Sequence, residues 1–252
     1  MKTNIHIHPD YWMYRRFIET IPTENYVREK TFCKHRNIVE WAKWGNMDFV
    51  IKRYKRPTWA NCLIYTWLRK TKARRAYEYA EELLKQGFDT ARPIAYIEVK
   101  KWGIFHTGYF ISELIPYPLI KDIPQMNLSQ EEKRLLVSDF INYTVRLHKR
   151  GITPKDYNAG NILFHKIGQH YHFALIDINR LHIGKSPTER EAAQFFEQMG
   201  ISITQTIGAI DQYATLRGFN TERCVFFILM HKFKRYIEKK FKKNVLYPLR
   251  RK

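Results

Sequence analysis

The feature that most constrains the fold of this sequence is an ordered set of four polar residues on and after predicted strands. Lys52 follows the apolar run Phe49-Val50-Ile51, and Asp156 and Asn161 lie five residues apart in a loop between a helix end and a strand. Asp177 ends a second strand, sixteen residues after Asn161. Each residue alone has an ordinary explanation, because Asp and Asn favour turns and a strand lysine is commonly solvated. Their fixed order makes the set informative.

The first half of the chain is predicted to be rich in strands. Apolar and β-branched residues indicate strands at 31–40, 48–54, 94–99 and 104–114, with turns at Gly45-Asn46 and Lys101-Trp102-Gly103. One main helix is predicted over Thr71–Gln86, and Gly87 follows it as a stop signal.

The second half is predicted to be mostly helical. Ser129 and Glu132 form a capping box, the helix that follows has an apolar face, and Gly151 ends it. Strands follow at 161–166 and 171–177, and helices complete the chain from about Thr188 to Lys243. The sequence therefore predicts an α+β fold with a β-rich first lobe and a helical second lobe, whose cleft would suit a nucleotide.

This order resembles the protein-kinase-like superfamily. The resemblance implies a bilobal fold with an N-lobe at 1–112, a hinge at 113–117 and a C-lobe at 118–252. It also implies ATP and Mg²⁺ as cofactors, with Asn161 and Asp177 as metal ligands and Lys52 on the α- and β-phosphates. Asp156 would orient the acceptor hydroxyl as the catalytic residue, and Lys155 beside it would help to neutralise the transferring phosphate.

The same resemblance implies further nucleotide contacts. The partner of Lys52 is expected to be Glu78 on the first-lobe helix, chosen over Glu81 and Glu82. Backbone groups of Glu113 and Ile115 would pair with the adenine edge, with Ser112 in the gatekeeper position.

The chain departs from ordinary protein kinases in several places. A basic turn, Lys34 to Asn37 with Arg36 in it, stands where a glycine-rich loop would cover the phosphates. Pro154-Lys155 replaces His-Arg before Asp156, and Ile178-Asn179 replaces Phe-Gly after Asp177. The segment after Asp177 is short, which argues against a protein substrate.

The region from Lys34 to Arg180 is also similar to the lipopolysaccharide kinase (Kdo/WaaP) family, through sequence segments that are less specific than the kinase residues. The segments that carry this similarity are Arg36-Asn37, Val50 to Tyr54, Lys72 to Arg75, Gly87 to Ala95, Leu147-His148, Asp156 to Leu163 and Ile176 to Arg180. The family implies an acidic glycolipid acceptor. The reaction would be ATP-dependent phosphorylation of a sugar in the lipopolysaccharide inner core, at the cytoplasmic face of a Gram-negative inner membrane.

Charge independently favours an acidic partner. The formal net charge is +20, and the stretch from Phe49 to Tyr77 has nine basic residues and no acidic one. Trp59, Leu63, Ile64, Trp67 and Leu68 recur there at helical spacing, as in a helix at an anionic membrane surface. Residues 232–252 add ten basic residues against Glu238 alone. The alternative is that these apolar residues pack on the first lobe.

The cysteine and apolar patterns predict a cytoplasmic protein, with peripheral membrane binding as an option. Cys33, Cys62 and Cys224 form no zinc or disulfide pattern, and the longest apolar run, Cys224–Met230, is too short to cross a bilayer.

Two alternative functions stay open. One is an atypical protein kinase or small-molecule kinase, and the other is a pseudokinase or RNA-binding module, although no RNA-binding motif supports nucleic acid as a partner.

Overall fold

The computed structural model describes residues 1–34, 37–199, 203–241 and 244, and the chain divides into two units. Unit 1 combines Met1–Tyr117 with the returning segment Ala174–Leu181, and unit 2 contains Pro118–Phe173 and the chain from His182 onward. The sequence expectation placed everything after 118 in one lobe. The structure instead assigns the segment that carries Asp177 to unit 1, because that segment packs on the helix and strand of this unit.

The first part of the chain, up to Tyr117, alternates strands and helices. Its strands are β1 (Lys2–Ile7), β2 (Lys30–Lys34), β3 (Asn37–Trp44), β4 (Met47–Tyr54), β5 (Asp89–Thr90), β6 (Pro93–Lys101) and β7 (Ile104–Glu113). Its helices are α1 (Arg15–Thr20), α2 (Trp59–Trp67) and α3 (Lys72–Lys85), with 3₁₀ turns at Pro9–Tyr14 and Ile21–Thr23.

A six-stranded sheet in the order β1-β6-β7-β4-β3-β2 forms the frame of unit 1. Its neighbouring strands are antiparallel, and Lys52 on β4 stands opposite Phe110 on β7. The N-terminal segment packs Phe17, Ile18 and Ile21 against apolar side chains of the sheet. Burying this apolar surface is the main stabilising contribution to the frame that carries Lys52.

Helix α3 contacts β6 and β7 and also the 3₁₀ turn at Ile178–Arg180. Its buried residues recur at helical spacing, and they are Ala73, Ala76, Tyr77, Ala80 and Leu83. Thr71 begins the helix by accepting a hydrogen bond from the Arg74 N–H, and Gly87, at φ +78°, follows its end. The predicted main helix of the first lobe is therefore present, two residues shorter than expected.

The remainder of the chain is mostly helical. Its helices are α4 (Gln130–Lys149), α5 (Glu189–Gln198), α6 (Ile203–Arg217) and α7 (Thr221–Phe241), with 3₁₀ turns at Ile120–Gln125 and Ile178–Arg180. Its short strands are β8 (Ile152–Pro154), β9 (Ile162–Ile167), β10 (His170–Leu175) and β11 (Leu181–Ile183). A buried cluster joins α4, α5, α6 and α7 through residues such as Ile141, Phe196, Ile210 and Ile228.

Helix α4 begins and ends at the predicted signals. Ser129 Oγ accepts from the Glu132 N–H at 3.1 Å, and the Glu132 carboxylate accepts from the Ser129 N–H at 2.9 Å. Gly151 follows the helix at φ +71°, a conformation that favours glycine. This end directs the chain into β8 and then into the loop that carries Asp156.

Candidate active site

The backbone places Asp177 two residues after the end of β10, within unit 1. The end of β10 pairs in parallel with β5, and Thr90 Oγ1 donates to the Leu175 carbonyl at 2.6 Å. Asp177 itself has φ 58° and ψ 46°, and the 3₁₀ turn at Ile178–Arg180 follows directly. The left-handed region is uncommon outside glycine, but Asp tolerates it because its short side chain can hydrogen-bond locally.

Two donors converge on one oxygen of Asp177. The Lys52 ammonium on β4 donates to Asp177 Oδ1 and forms an ion pair with it, while the side chain of Lys52 is only 12 % exposed. Asn179 Nδ2 donates to the same Oδ1 at 2.5 Å, and Asn179 is buried. Within the described part of the chain, Oδ2 of Asp177 accepts no hydrogen bond.

Tyr54 lies beside this pair. The Lys52 Nζ is 5.4 Å from the centre of the Tyr54 ring, and the phenol oxygen is buried with no hydrogen-bond partner among the described residues. Burial, and next the negative charge of Asp177, raise the pKa of Tyr54 far above its usual value. Tyr54 therefore stays neutral and shields one side of the ion pair from water.

The structure does not show the expected pairing of Lys52 with Glu78. Glu78 Oε2 accepts from Lys70 Nζ and Glu78 Oε1 accepts from Arg74 Nε, both at 2.9 Å, while Lys52 pairs with Asp177. Burial opposes the charge of Glu78, but the hydrogen bonds from its two basic partners prevail and lower its pKa. The helix periodicity did not reveal this, because it does not specify which way a charged side chain points.

Another residue of α3 comes close to Tyr54. Arg75 lies near enough for its charge to oppose the rise in the Tyr54 pKa. Burial, and next the charge of Arg69, lower the pKa of Arg75 itself. Its Nε is buried without a hydrogen-bond partner in the described part of the chain. The residue of α3 whose charge acts on Tyr54 is therefore a cation.

The predicted hinge residues lie at the end of β7. The Glu113 carboxylate accepts from the Tyr11 hydroxyl at 2.5 Å, and burial followed by this bond raises the pKa of Tyr11. The Glu113 N–H donates to the Arg92 carbonyl at 3.0 Å, so this donor is already used within the sheet. The Ile115 N–H has no such acceptor among the described residues, and Ser112 is buried.

In unit 2, Asp156 and Asn161 belong to one hydrogen-bonded loop. The Asp156 carbonyl accepts from Asn161 Nδ2 at 2.9 Å, from Asn158 Nδ2 at 3.1 Å and from the Asn158 N–H at 3.0 Å. Because Asn161 donates through its nitrogen, its Oδ1 stays available as a ligand oxygen. The loop thus fixes the orientation of the Asn161 amide relative to Asp156.

Packing beneath this loop holds it in place. Tyr157, directly after Asp156, is fully buried, and its hydroxyl lies 2.7 Å from Thr144 Oγ1 on α4. Thr144 Oγ1 also donates to the Phe140 carbonyl, so Tyr157 is the donor of the pair. The Lys121 N–H donates to the Ala159 carbonyl on the far side of the loop.

The last two predicted site residues are Lys155 and Arg36. Lys155 is exposed in the turn before Asp156. Arg36 lies outside the described residues.

The side chains present fit a hard divalent cation. No group of three or more His, Cys, Asp and Glu side chains in the described part of the chain could hold a metal ion. A magnesium site does not require one, because Mg²⁺ takes one or two protein oxygens and completes its shell with phosphate and water. Asp177 Oδ2 in unit 1 and Asn161 Oδ1 in unit 2 are oxygen donors of this kind.

Sequence reasoning did not identify Asn179 as a site residue. It noted Ile178-Asn179 only as a departure from Phe-Gly. A polar residue two positions after a metal-binding Asp was the available signal, since Asn readily hydrogen-bonds a near neighbour.

The comparisons with known proteins agree on one relationship. A family model described as lipopolysaccharide kinase (Kdo/WaaP) family matches residues 30–217, well over half of the chain. A solved structure described as WaaP in complex with acyl carrier protein has a TM-score of 0.62 and 12 % sequence identity, covering 94 % of this chain and 100 % of that chain. At this identity, the likeness shows the fold, and it confirms the predicted kinase-like architecture.

The other comparisons do not extend this relationship. The MAP kinase LmaMPK10 from Leishmania major has a TM-score of 0.44 and 16 % identity, covering 79 % of this chain and 65 % of that chain. No curated protein sequence matches this one.

Proposed function

This chain belongs to the lipopolysaccharide kinase (Kdo/WaaP) family, and we propose that it uses ATP and Mg²⁺ to phosphorylate a sugar hydroxyl of the lipopolysaccharide inner core. The family establishes a phosphotransferase that acts on sugar hydroxyls. The observation that carries the catalytic part of the proposal is the convergence of Lys52 and Asn179 on one oxygen of Asp177, which leaves its second oxygen for a cation.

Each proposed residue has a separate task. Asp177 Oδ2 and Asn161 Oδ1 would each supply an oxygen ligand to the metal, and Lys52 would hold the α- and β-phosphates as a point charge. Asp156 accepts a hydrogen bond from the acceptor hydroxyl and orients it. Lys155 helps to neutralise the transferring phosphate.

The nucleotide base and the outer phosphates are assigned to other groups. The Glu113 carbonyl and the Ile115 N–H are assigned to the adenine edge, and the positive charge of Arg36 is assigned to the phosphates. Mg²⁺-bound ATP supplies the activated phosphoryl group, and catalysis then rests on positioning and on charge neutralisation.

Mg²⁺-dependent ATP turnover tests the assignment of Asp156 and Asp177. Asp156→Asn and Asp177→Asn keep the side-chain shapes and remove one charge each. We expect each variant to lose at least about 100-fold in turnover, the scale on which such groups contribute. Asp177→Asn should weaken nucleotide binding more, because of these two aspartates only Asp177 is assigned as a metal ligand. Wild-type turnover in either variant would remove that residue from the site, and an inactive wild type would favour a pseudokinase.

The acceptor requires its own assay. Purified lipopolysaccharide core oligosaccharides are incubated with the chain and ATP, and mass spectrometry detects the gain of a phosphate. Peptides and small-molecule alcohols serve as competing acceptors. Phosphate gain on peptides alone would contradict the glycolipid proposal.

The reaction is proposed to occur at the cytoplasmic face of the inner membrane. The net charge of +20 supports residence at a phosphate-rich glycolipid surface. None of the helices that the structure describes is long and apolar enough to cross a bilayer.

Acyl carrier protein is a further proposed partner. The support is the solved structure of WaaP in complex with acyl carrier protein, because the chain shares the fold of that WaaP. Size-exclusion chromatography of the chain mixed with purified acyl carrier protein tests the idea. Co-elution is expected, and separate elution at low salt would contradict it.

A further inference from the structure

Helix α2 has one apolar face that packs on the sheet and another that faces water. On the inner side, Cys62 is buried, the Tyr65 ring contacts the Phe105 ring at 5.7 Å, and Thr66 Oγ1 accepts from the Phe105 N–H at 2.9 Å. Leu63, expected on the membrane-facing side, is half-buried instead. The inner contacts anchor α2 to β7 without any help from its outer face.

The outer face of α2 is almost entirely apolar. Trp59 is 79 % exposed, Trp67 is 70 % exposed and Leu68, directly after the helix, is 82 % exposed. Ile64 lies between them and is 37 % exposed. At 100° per residue, Trp67 and Ile64 lie about 80° and 140° around the helix from Trp59, and Leu68 follows at the C-terminal end, so the exposed apolar side chains spread over one half of the helix circumference.

The turn between β6 and β7 adds a third tryptophan. Trp102 is 97 % exposed and sits at φ 49°, and Ile104 after it is partly exposed. Phe105, which the α2 residues Tyr65 and Thr66 contact, follows Ile104 directly. The turn therefore belongs to the same region of unit 1 as α2. We call the six residues together the α2 surface: Trp59, Ile64, Trp67, Leu68, Trp102 and Ile104.

Basic side chains border the α2 surface. Lys55, Arg56 and Arg69 are exposed beside α2, and Lys101 is exposed in the β6–β7 turn. No acidic residue occurs from Phe49 to Tyr77. This combination matches an anionic lipid interface, where tryptophan rings settle at headgroup level and each Lys or Arg near the surface adds attraction.

We propose that the α2 surface docks on an anionic lipid bilayer, with the rings of Trp59, Trp67 and Trp102 inserted among the headgroups. This deepens the proposed function by naming the surface that meets the membrane, and it relies on that function only for the identity of the acceptor. Docking through unit 1 would keep the chain at the surface where a glycolipid acceptor resides.

Another exposed apolar strip provides the matched comparison. The outward side of α7 carries Phe226, Leu229, Met230, Phe233, Tyr236, Ile237 and Phe241, each at least 42 % exposed. This α7 strip has no tryptophan, and aliphatic and phenyl side chains at such spacing are typical of a helix that docks in a protein groove. The α2 surface holds three of the six tryptophans of the chain and is therefore the better candidate for a bilayer.

Vesicle co-sedimentation tests the proposal with three variants. The first changes Trp59, Trp67 and Trp102 to Ala. The second changes Lys55, Arg56 and Lys101 to Gln. The control changes Phe233, Tyr236 and Ile237 on α7 to Ala. Each is mixed with vesicles of phosphatidylcholine alone or with added phosphatidylglycerol, at low and high salt, after circular dichroism confirms folding.

We expect the wild type to sediment with the anionic vesicles, and less so at high salt. The tryptophan and glutamine variants should each lose at least about tenfold in partition, and the α7 control should bind like the wild type. No wild-type binding, equal binding of the tryptophan variant, or an equal loss in the α7 control would overturn the proposal. So would binding of an acidic protein at this surface without any vesicle binding.

A kinase assay separates this proposal from the proposed function. The tryptophan variant should phosphorylate a water-soluble core oligosaccharide at the wild-type rate and lose rate only on acceptor embedded in vesicles. Vesicle binding without any kinase activity would reject the function and keep the docking surface. An equal loss on both acceptors would show that the tryptophans act on the fold, and would reject docking.

Discussion

Single residues in this chain are positioned by contacts that their neighbours in sequence do not reveal. Asp177 depends on a left-handed backbone, on Lys52 from β4, and on Asn179 two residues later. The Asn161 side chain is oriented by its hydrogen bond to the backbone carbonyl of Asp156. The residue types were readable from the sequence, and their orientations were not.

Asn179→Ala is expected to raise the Mg²⁺ concentration needed for half-maximal turnover by about 10- to 100-fold, the usual effect of removing a side chain that orients a metal ligand. The reason is that Asp177 loses one of the two donors on Oδ1, so its carboxylate is held less firmly and Oδ2 is less well oriented. Turnover is measured over a Mg²⁺ series at saturating ATP. Asn127→Ala, at an exposed asparagine, is the control. A uniform fall in rate at every Mg²⁺ concentration would contradict the positioning role.

The buried His148 gives a pH dependence with a definite sign. Burial, and next the charge of Arg217, lower the pKa of His148 to about 3. Its Nδ1 lies 2.7 Å from the Tyr213 hydroxyl, which also accepts from Arg217, so the phenol donates to His148. In the unfolded chain His148 would titrate near its ordinary value, at about pH 6.5. The unfolded state therefore binds more protons at any pH between these two values.

We expect the free energy of unfolding to fall as pH drops from about 6.5 toward 3, by up to about 1.4 kcal/mol per pH unit from this residue. Urea unfolding at a series of pH values measures the slope. His148→Gln keeps an acceptor for Tyr213 and removes the titration, so its slope should be shallower. Identical slopes would show that His148 does not contribute.

Some secondary-structure elements of the chain are marked by strong signals in adjacent residues, and others are not. The hairpin turn at Trp102-Gly103, the capping box of α4 and the stop at Gly151 were predicted correctly, because each depends on residues a few positions apart. Strand β1 was missed because only Ile5 and Ile7 of its six residues are apolar, and so short an alternation is a weak signal for a strand. The predicted strand at 31–40 is divided between β2 and β3, which pair with each other.

Gly151→Ala should destabilise the chain by about 3 kcal/mol or more, because backbone strain at a positive φ and a steric clash of the new Cβ act together. Gly151 has φ +71°, and a Cβ there would lie 1.8 Å from the Gly184 carbonyl oxygen. Gly87→Ala is the matched control, since Gly87 has φ +78° with open space around it, and should cost only about 1 kcal/mol. Urea midpoints compare the two, and equal losses would refute the clash.

At the scale of the whole molecule, the chain leaves unit 1 and returns to it. Ala174–Leu181 brings the end of β10 beside β5 and Asp177 beside Lys52. Unit 1 is therefore not a contiguous piece of sequence.

A fragment of residues 1–117 is expected to be less stable than the full chain and to lose protection around β5 and α3 first. It lacks the parallel strand partner of β5, the hydrogen bond from Thr90 to Leu175, and the partner of Lys52. Hydrogen exchange with mass detection measures the protection. The same fragment with Ala174–Leu181 appended through a glycine-serine linker should recover part of it. Equal protection in both fragments would show that the returning segment is dispensable.

The sequence by itself determined the order of Lys52, Asp156, Asn161 and Asp177, the kinase-like class of fold, and the start and end of α4. These features are local, and local backbone preferences and capping follow from a few adjacent side chains. Only the tertiary structure decided that Lys52 pairs with Asp177 instead of Glu78, and that the tryptophans of α2 face water. Which partner a charged side chain finds, and which face of a helix is buried, depends on packing between segments far apart in the chain.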